Sequence, residues 1–374
     1  MLSTRPVVTL VLATLALGCT PKAEEDPDPP DGPLTTPTSV TGDTATTPDD
    51  TSTTPTPTAD TDTGSMTGST GDTALTGTTG STADTASTLP VVDCANLPQP
   101  PLSTRGVPGA RGYHGLAFTQ DGRIAGSDGN LLGADAYGNT SVILPGTGSL
   151  QQLDMLSDGR IVAASSTDGA VIAVDPATGG ATVLAAGLSF GLYGLRVGPD
   201  DRVYLADQDR IFRVDPSTGS SEVWLDQNNI SPKVLDFNVD FTKMYIGTNY
   251  EQGKVWEVLL DANHDPIAAP TLLAETPGSW HDGLTVDVCG NIYVAEFNNR
   301  AMYRIDPSGT VRTVMDLNGA QNNFYGHGVV FGTGSDGWLA DAVYVPQPYN
   351  GDTVAEVVLG VPHRSYPGPV INGP

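Results

Sequence analysis

Gly283-Leu284-Thr285-Val286, then Gly290-Asn291, then Ile292-Tyr293-Val294-Ala295-Glu296, then Met302-Tyr303-Arg304-Ile305-Asp306-Pro307 succeed one another in one stretch. Short β-branched and aromatic runs broken by Gly-Asn and Asp-Pro read as strands joined by hairpins. The same grammar returns along the chain. Gly115-Leu116-Ala117-Phe118 precedes Asp121-Gly122, and Leu153-Asp154-Met155 precedes Asp158-Gly159 and a run ending Asp175-Pro176. Gly194-Leu195-Arg196-Val197 leads to Asp215-Pro216, Leu235-Asp236-Phe237 to Val255-Trp256-Glu257-Val258, and Gly328-Val329-Val330-Phe331 to Ala342-Val343-Tyr344-Val345. A period of about 40 residues suits four strands per unit. Six such openers predict an all-β fold over residues 94–374, a six-bladed β-propeller of four-stranded antiparallel blades. A β-sandwich would not repeat so regularly, and no helical periodicity competes. The ring should close through residues ahead of the first opener or through the last run, near Val354–Leu359.

The first ninety residues read differently. Arg5 followed by the apolar run Val7–Leu17 and Gly18 has the form of a secretory signal over residues 1–18, too short to span a bilayer as a mature helix. Its Ala16-Leu17-Gly18-Cys19 ending resembles a bacterial lipobox, which implies lipidation at Cys19 and a lipid bilayer as partner, although Ala16 replaces the usual Leu. Thr20 rather than Asp after Cys19 resembles an outer-membrane sorting pattern, so the expected address is the cell envelope, at the outer membrane or cell surface. Residues 19–93 are Thr-, Ser-, Gly-, Asp- and Pro-rich. Residues 20–93 hold thirteen acids, one base and no aromatic residue. Such a segment cannot offset its ordering entropy and is expected to be a disordered tether, spanning roughly 50 Å.

The whole chain of 374 residues carries 43 acidic and 17 basic side chains, a net charge of −26, which argues against nucleic-acid binding. Nothing in it calls for more than a monomer. Three cysteines exclude a disulfide-dense scaffold. With Cys19 lipidated, Cys94 and Cys289 are the pair left, and an exported compartment allows their disulfide. Closing that long loop would stabilise the fold by up to about 5 kcal/mol in the chain-entropy account. Asp26–Gly32 and Asp261–Asp265 faintly resemble calcium loops, but misplaced prolines and missing ligands make them linker and hairpin turn. No Gly-x-Ser-x-Gly elbow, phosphate loop or dinucleotide fingerprint occurs.

In a propeller the innermost strands converge on a channel, so the residues two positions ahead of the first Leu or Val of each opener ring one mouth. They are His114, Gln151, Tyr193, Lys233, Asp282 and His327, all with polar tips. Blades five, six and one are neighbours in a closed ring, which places Asp282, His327 and His114 side by side. Two imidazoles and a carboxylate form a candidate site for a divalent cation, zinc, manganese, iron or calcium. A cation there would activate water and polarise a carbonyl, with Lys233 stabilising an oxyanion, Tyr193 donating a hydrogen bond and Gln151 contacting ligand. Water-filled mouths also collect polar residues without any such role. Trp280 and Tyr349 are placed to flank the mouth and stack on a sugar or aromatic ligand.

The stretch from His281-Asp282-Gly283 through Glu296 to Tyr303–Pro307 resembles the fifth-blade signature of the regucalcin/gluconolactonase/strictosidine-synthase-like superfamily. The rest of residues 112–345 follows six-bladed grammar shared with NHL repeats. The resemblance implies a divalent cation held by a first-blade Glu, a fourth-blade Asn and a fifth-blade Asp. The Asp falls on Asp282, but the Glu position falls on or beside His114 and the Asn position on Lys233. Related propellers that hold zinc through histidines for lyase chemistry are similar in the His114/His327 pair. Two functions follow as expectations: a metal-dependent hydrolase or lyase acting on a small molecule at the mouth, or a non-catalytic ligand- or protein-binding propeller on a flexible stalk.

Overall fold

The computed structural model describes residues 91–374 apart from 149, 208, 228, 250–252, 317–324, 352, 366–369 and 373–374. The signal peptide, residues 19–90 of the tether and Cys19 lie outside the described residues.

β1 (Val91–Asp93) and β2 (Thr104–Arg111) come first. Blade one is β3 (Leu116–Phe118), β4 (Ile124–Ser127), β5 (Gly129–Ala134) and β6 (Thr140–Gly148). Blade two is β7 (Leu150–Met155), β8 (Ile161–Ser165), β9 (Ala170–Val174) and β10 (Ala181–Ala185). Blade three is β11 (Leu195–Val197), β12 (Val203–Ala206), β13 (Arg210–Val214) and β14 (Ser221–Asp226). Blade four is β15 (Pro232–Phe237), β16 (Lys243–Thr248), β17 (Lys254–Leu259) and β18 (Thr271–Glu275). Blade five is β19 (His281–Val286), β20 (Ile292–Glu296), β21 (Ala301–Ile305) and β22 (Val311–Asp316). Blade six takes its three inner strands from β23 (Val330–Phe331), β24 (Ala342–Gln347) and β25 (Thr353–Val358), and its outermost strand is β2. Both predicted closure segments are therefore used, with β2 and β25 paired antiparallel. β26 (Val370–Asn372) runs parallel to β1, at the stretch the sequence assigns to the end of the tether. Cys94 and Cys289 are disulfide-bonded, with Cα atoms 5.6 Å apart, stapling the start of the domain to the first hairpin of blade five.

The blades adhere through side chains interleaved at their faces. Between blades three and four, the Tyr204 ring meets Trp224 at 5.3 Å and Phe237 at 5.2 Å, edge to face. Between blades six and one, Phe118 meets Trp338 at 5.2 Å and Tyr344 at 5.3 Å. Each such pair adds about 1 kcal/mol beyond the apolar area it buries.

Nearer the axis the limit is backbone contact rather than side-chain packing. A Cβ on Gly115 would stand 2.5 Å from the Cα of Gln152 and from Leu153 N, and one on Gly283 would stand 2.6 Å from the Gly328 carbonyl carbon. The repeated glycine of the openers thus lets adjacent innermost strands touch. Gly283→Ala should lower unfolding stability by about 1–3 kcal/mol, through backbone displacement at the channel. Chemical denaturation of the full chain checks this, and an unchanged midpoint would refute the close-packing account.

Candidate functional site at the channel mouth

All six ring residues line one small cavity at the starts of the innermost strands, together with Gln152 and Val234. Their common orientation has a backbone cause. Strand pairing slips between Leu150 and Leu153, between Pro232 and Val234, and between His281 and Gly283. Gln151, Lys233 and Asp282 therefore sit on β-bulges, which interrupt the alternation of the inner strand and re-aim a side chain towards the axis. Nothing in the side-chain pattern marked these bulges.

Asp282 and Lys233, 4% and 5% exposed, form an ion pair through Asp282 Oδ1 and Lys233 Nζ. The ammonium also lies 4.8 Å from the Tyr193 ring centroid and 4.6 Å from that of Trp280, between two aromatic faces. The other carboxylate oxygen of Asp282 is 3.6 Å from His327 Nε2, an electrostatic approach but too long for a hydrogen bond. His327 Nδ1 and His114 Nδ1 are 3.0 Å apart and the two rings stack at 4.9 Å. One Nδ1 must then carry the proton and the other accept it. Burial pushes both imidazoles well below the usual histidine range, and the nearby Lys233 charge pushes them the same way, so both are neutral. Burial pushes the Asp282 carboxyl up, and the Lys233 ammonium acts against that shift.

The sequence predicted a cation between His114, His327 and Asp282. These side chains are brought together, but they do not fit one as they stand. Lys233 takes the carboxylate oxygen a cation would need, and its charge repels a second cation at that point. The histidines turn their Nδ1 atoms on each other rather than on a shared centre. Among the described residues no three His, Cys, Asp or Glu side chains are arranged to hold a metal ion. The cavity itself encloses about 10 Å³, space for a single water.

Gln152, which the ring of openers did not include, closes the channel beneath the mouth. Its Nε2 faces the carbonyls of Asp282 at 3.1 Å, His327 at 3.0 Å and His114 at 3.4 Å. Three acceptors require the donor end of the amide there.

Above the cavity stands an aromatic wall. Phe297 lies 5.0 Å and Tyr349 5.8 Å from the His327 ring, Tyr325 lies 5.1 Å from Tyr349, and Trp280 lies 5.3 Å from Phe297. Tyr349 is 46% exposed. Glu296 anchors the two loops that carry Trp280 and Phe297. Its Oε1 accepts the N–H groups of Ser279, Trp280 and Asn298 at 3.1 Å, and its Oε2 accepts that of Asn299 at 2.6 Å. Buried behind the ring, His281 faces Thr276 Oγ1 at 2.8 Å rather than the channel.

With this geometry in hand, the chain can be set beside known proteins. Residues 155–324 match the family described as SMP-30/Gluconolactonase/LRE-like region. The likeness to that family lies in these residues, which span most of blades two to five. A search of curated proteins finds no match. Among solved structures, a gluconolactonase of Xanthomonas campestris is 15% identical with a TM-score of 0.58, covering 69% of this chain and 89% of its own. A calcium-binding regucalcin of Agrobacterium tumefaciens is 18% identical with a TM-score of 0.58, covering 74% and 98%. An auxiliary nutrient binding protein of Bacteroides ovatus is 11% identical with a TM-score of 0.54, covering 73% and 76%. At these identities the likeness is one of fold.

Burial, and after it the Lys233 charge, drives the His281 imidazole down to about 3. The unfolded chain, with a histidine near 6.5, binds a proton that the folded chain refuses, so this stability is complete above the unfolded value and lost on acidification below it. Between pH 7 and pH 5 the wild type should lose about 2 kcal/mol more than His281→Gln. Urea unfolding of both proteins at the two pH values measures the difference, and equal losses would show that His281 is protonated in the fold.

Proposed function

We propose that this protein is an exported binding propeller, anchored to the envelope through Cys19, whose channel mouth captures a small hydroxylated ring compound such as a sugar or sugar lactone without using a metal. The carrying observation is the Lys233–Asp282 pair, set between the faces of Tyr193 and Trp280. A charged donor and acceptor at the centre of an aromatic rim suit a ring with hydroxyls on its edge and C–H groups on its face. The ligand rests on the rim, because the cavity below holds no more than a water. His114, Gln151 and His327 then act as neutral hydrogen-bonding partners. A gluconolactonase of the same fold supports this ligand class, and a nutrient binding protein of the same fold supports a binding role. The disulfide is in keeping with export. Metal-assisted hydrolysis or lyase chemistry is the less favoured reading, because Lys233 stands where the resemblance places a ligating Asn.

Titration calorimetry of the full chain with glucono-1,5-lactone and with glucose tests the proposal. Binding is expected with no acceleration of lactone hydrolysis, whether or not calcium or zinc is added, and Trp280→Ala should weaken it about fivefold or more. Hydrolysis that depends on added metal would overturn the reading. Lys233→Asn, which frees Asp282, should acquire calcium affinity that the wild type lacks. For the anchor, Cys19→Ser should release the protein from membranes into the soluble fraction, and retention in the membrane fraction would exclude lipidation.

A further inference from the structure

The far end of the channel is a separate cavity of about 450 Å³, the size of a small-molecule site, where the innermost strands finish. Asp154 reaches it from β7, Arg196 from β11 and Asp236 from β15. Arg364 reaches it from the segment after the last blade, its backbone N–H donating to Val286 O at 3.2 Å. Phe118, Phe241 and Phe331 supply apolar wall.

The charges are arranged unevenly. Asp236 is fully buried, and its Oδ1 lies 2.6 Å from Arg364 Nη1 and 3.6 Å from Arg196 Nε. Two guanidiniums share this one carboxylate, so one positive charge is in excess on that side. His363, also in the lining, adds none, because burial and the adjacent Arg364 drive its imidazole down to about 3. The balancing negative charge is Asp154, on a different blade and only partly buried. Its Oδ1 accepts the Met155 N–H and its Oδ2 the Val197 N–H, each at 2.8 Å, which fixes the carboxylate while leaving lone pairs for a ligand. The cavity thus presents two guanidiniums and two carboxylates in overall balance, with Arg196 acting on both Asp236 and Asp154.

We propose that this second mouth binds a free α-amino acid with an apolar side chain, its carboxylate against the Arg196/Arg364 side and its ammonium against Asp154. A ligand with one charge alone would upset this balance as it covers the cavity, whereas a zwitterion keeps it. A simple anion is further disfavoured by the net charge of −26.

Calorimetry of the full chain with L-phenylalanine, with phenylacetate, which lacks the ammonium, and with phenethylamine, which lacks the carboxylate, decides the matter. Phenylalanine should bind, and each half-ligand should bind at least about tenfold more weakly. Asp154→Asn, which keeps the shape, should weaken phenylalanine about tenfold and strengthen phenylacetate, which then covers no carboxylate. No heat from phenylalanine at millimolar concentration, or phenylacetate binding as tightly, overturns the proposal. The half-ligand comparison on the unaltered chain stands even if the variant fails to fold.

Discussion

Six inner strands brought into backbone contact around one axis are the constraint on which the rest of the molecule depends. Side chains cannot fill so narrow a space, so the strands meet through glycine where Gly115 faces Gln152 and Gly283 faces Gly328. The carbonyls that line such a channel still need donors. Two long side chains supply them across the axis. Gln152 of blade two reaches blades one, five and six, and Arg196 of blade three donates through Nη2 to Leu284 O at 2.8 Å and Val329 O at 3.2 Å. Because each donor ties together blades far apart in sequence, removing one would loosen several blade seams together rather than one hairpin.

The Lys233–Asp282 pair sets the chemistry of the first mouth. A buried carboxylate needs a counter-charge, and in the pattern this mouth resembles a metal ion would provide it. Here an ammonium on the neighbouring blade does so instead. Leaving either partner alone would strand a charge that is almost wholly out of water, which costs several kcal/mol. Burial keeps both imidazoles neutral, and the same ammonium pushes them in that direction too. The mouth is therefore a fixed array of dipoles with one internal ion pair, suited to recognition through hydrogen bonds and ring faces.

Much of this was legible in the amino-acid order. The blade count followed from the recurrence of openers and Asp-Gly or Asp-Pro turns, and the composition of the ring at the mouth followed from counting back two positions from the first Leu or Val of each opener. The position rule works for a reason the pattern does not reveal, since the bulges at Gln151, Lys233 and Asp282 are backbone slips without a residue signature. The ion pair was not legible either. Asp282 and Lys233 are 49 positions apart, and only the turn from blade four to blade five sets which ring neighbour the lysine leans on. Lacking that contact, the sequence grouped Asp282 with the histidines as a cation site. The second mouth escaped notice because Arg364 belongs to no repeat, whereas Arg196 and Asp236 sit in openers and read as ordinary strand residues.

The two mouths are chemically insulated from each other. Between the cavity at His114 and the one at Arg364 the axis is crossed first by Gln152 and then by Arg196, each bonded to carbonyls on the opposite side. A ligand cannot pass without breaking those bonds. Coupling between them would have to run through the blades themselves. β7, β15 and β19 are direct connections, since each carries a residue of the first mouth at its start, Gln151, Lys233 and Asp282, and a residue of the second near its end, Asp154, Asp236 and Thr285. A shift of any of these strands along its own axis would disturb both ends together, yet the glycine contacts leave almost no room for such a slide. Close packing at the channel thus makes this propeller a rigid frame with a separate cavity at each end.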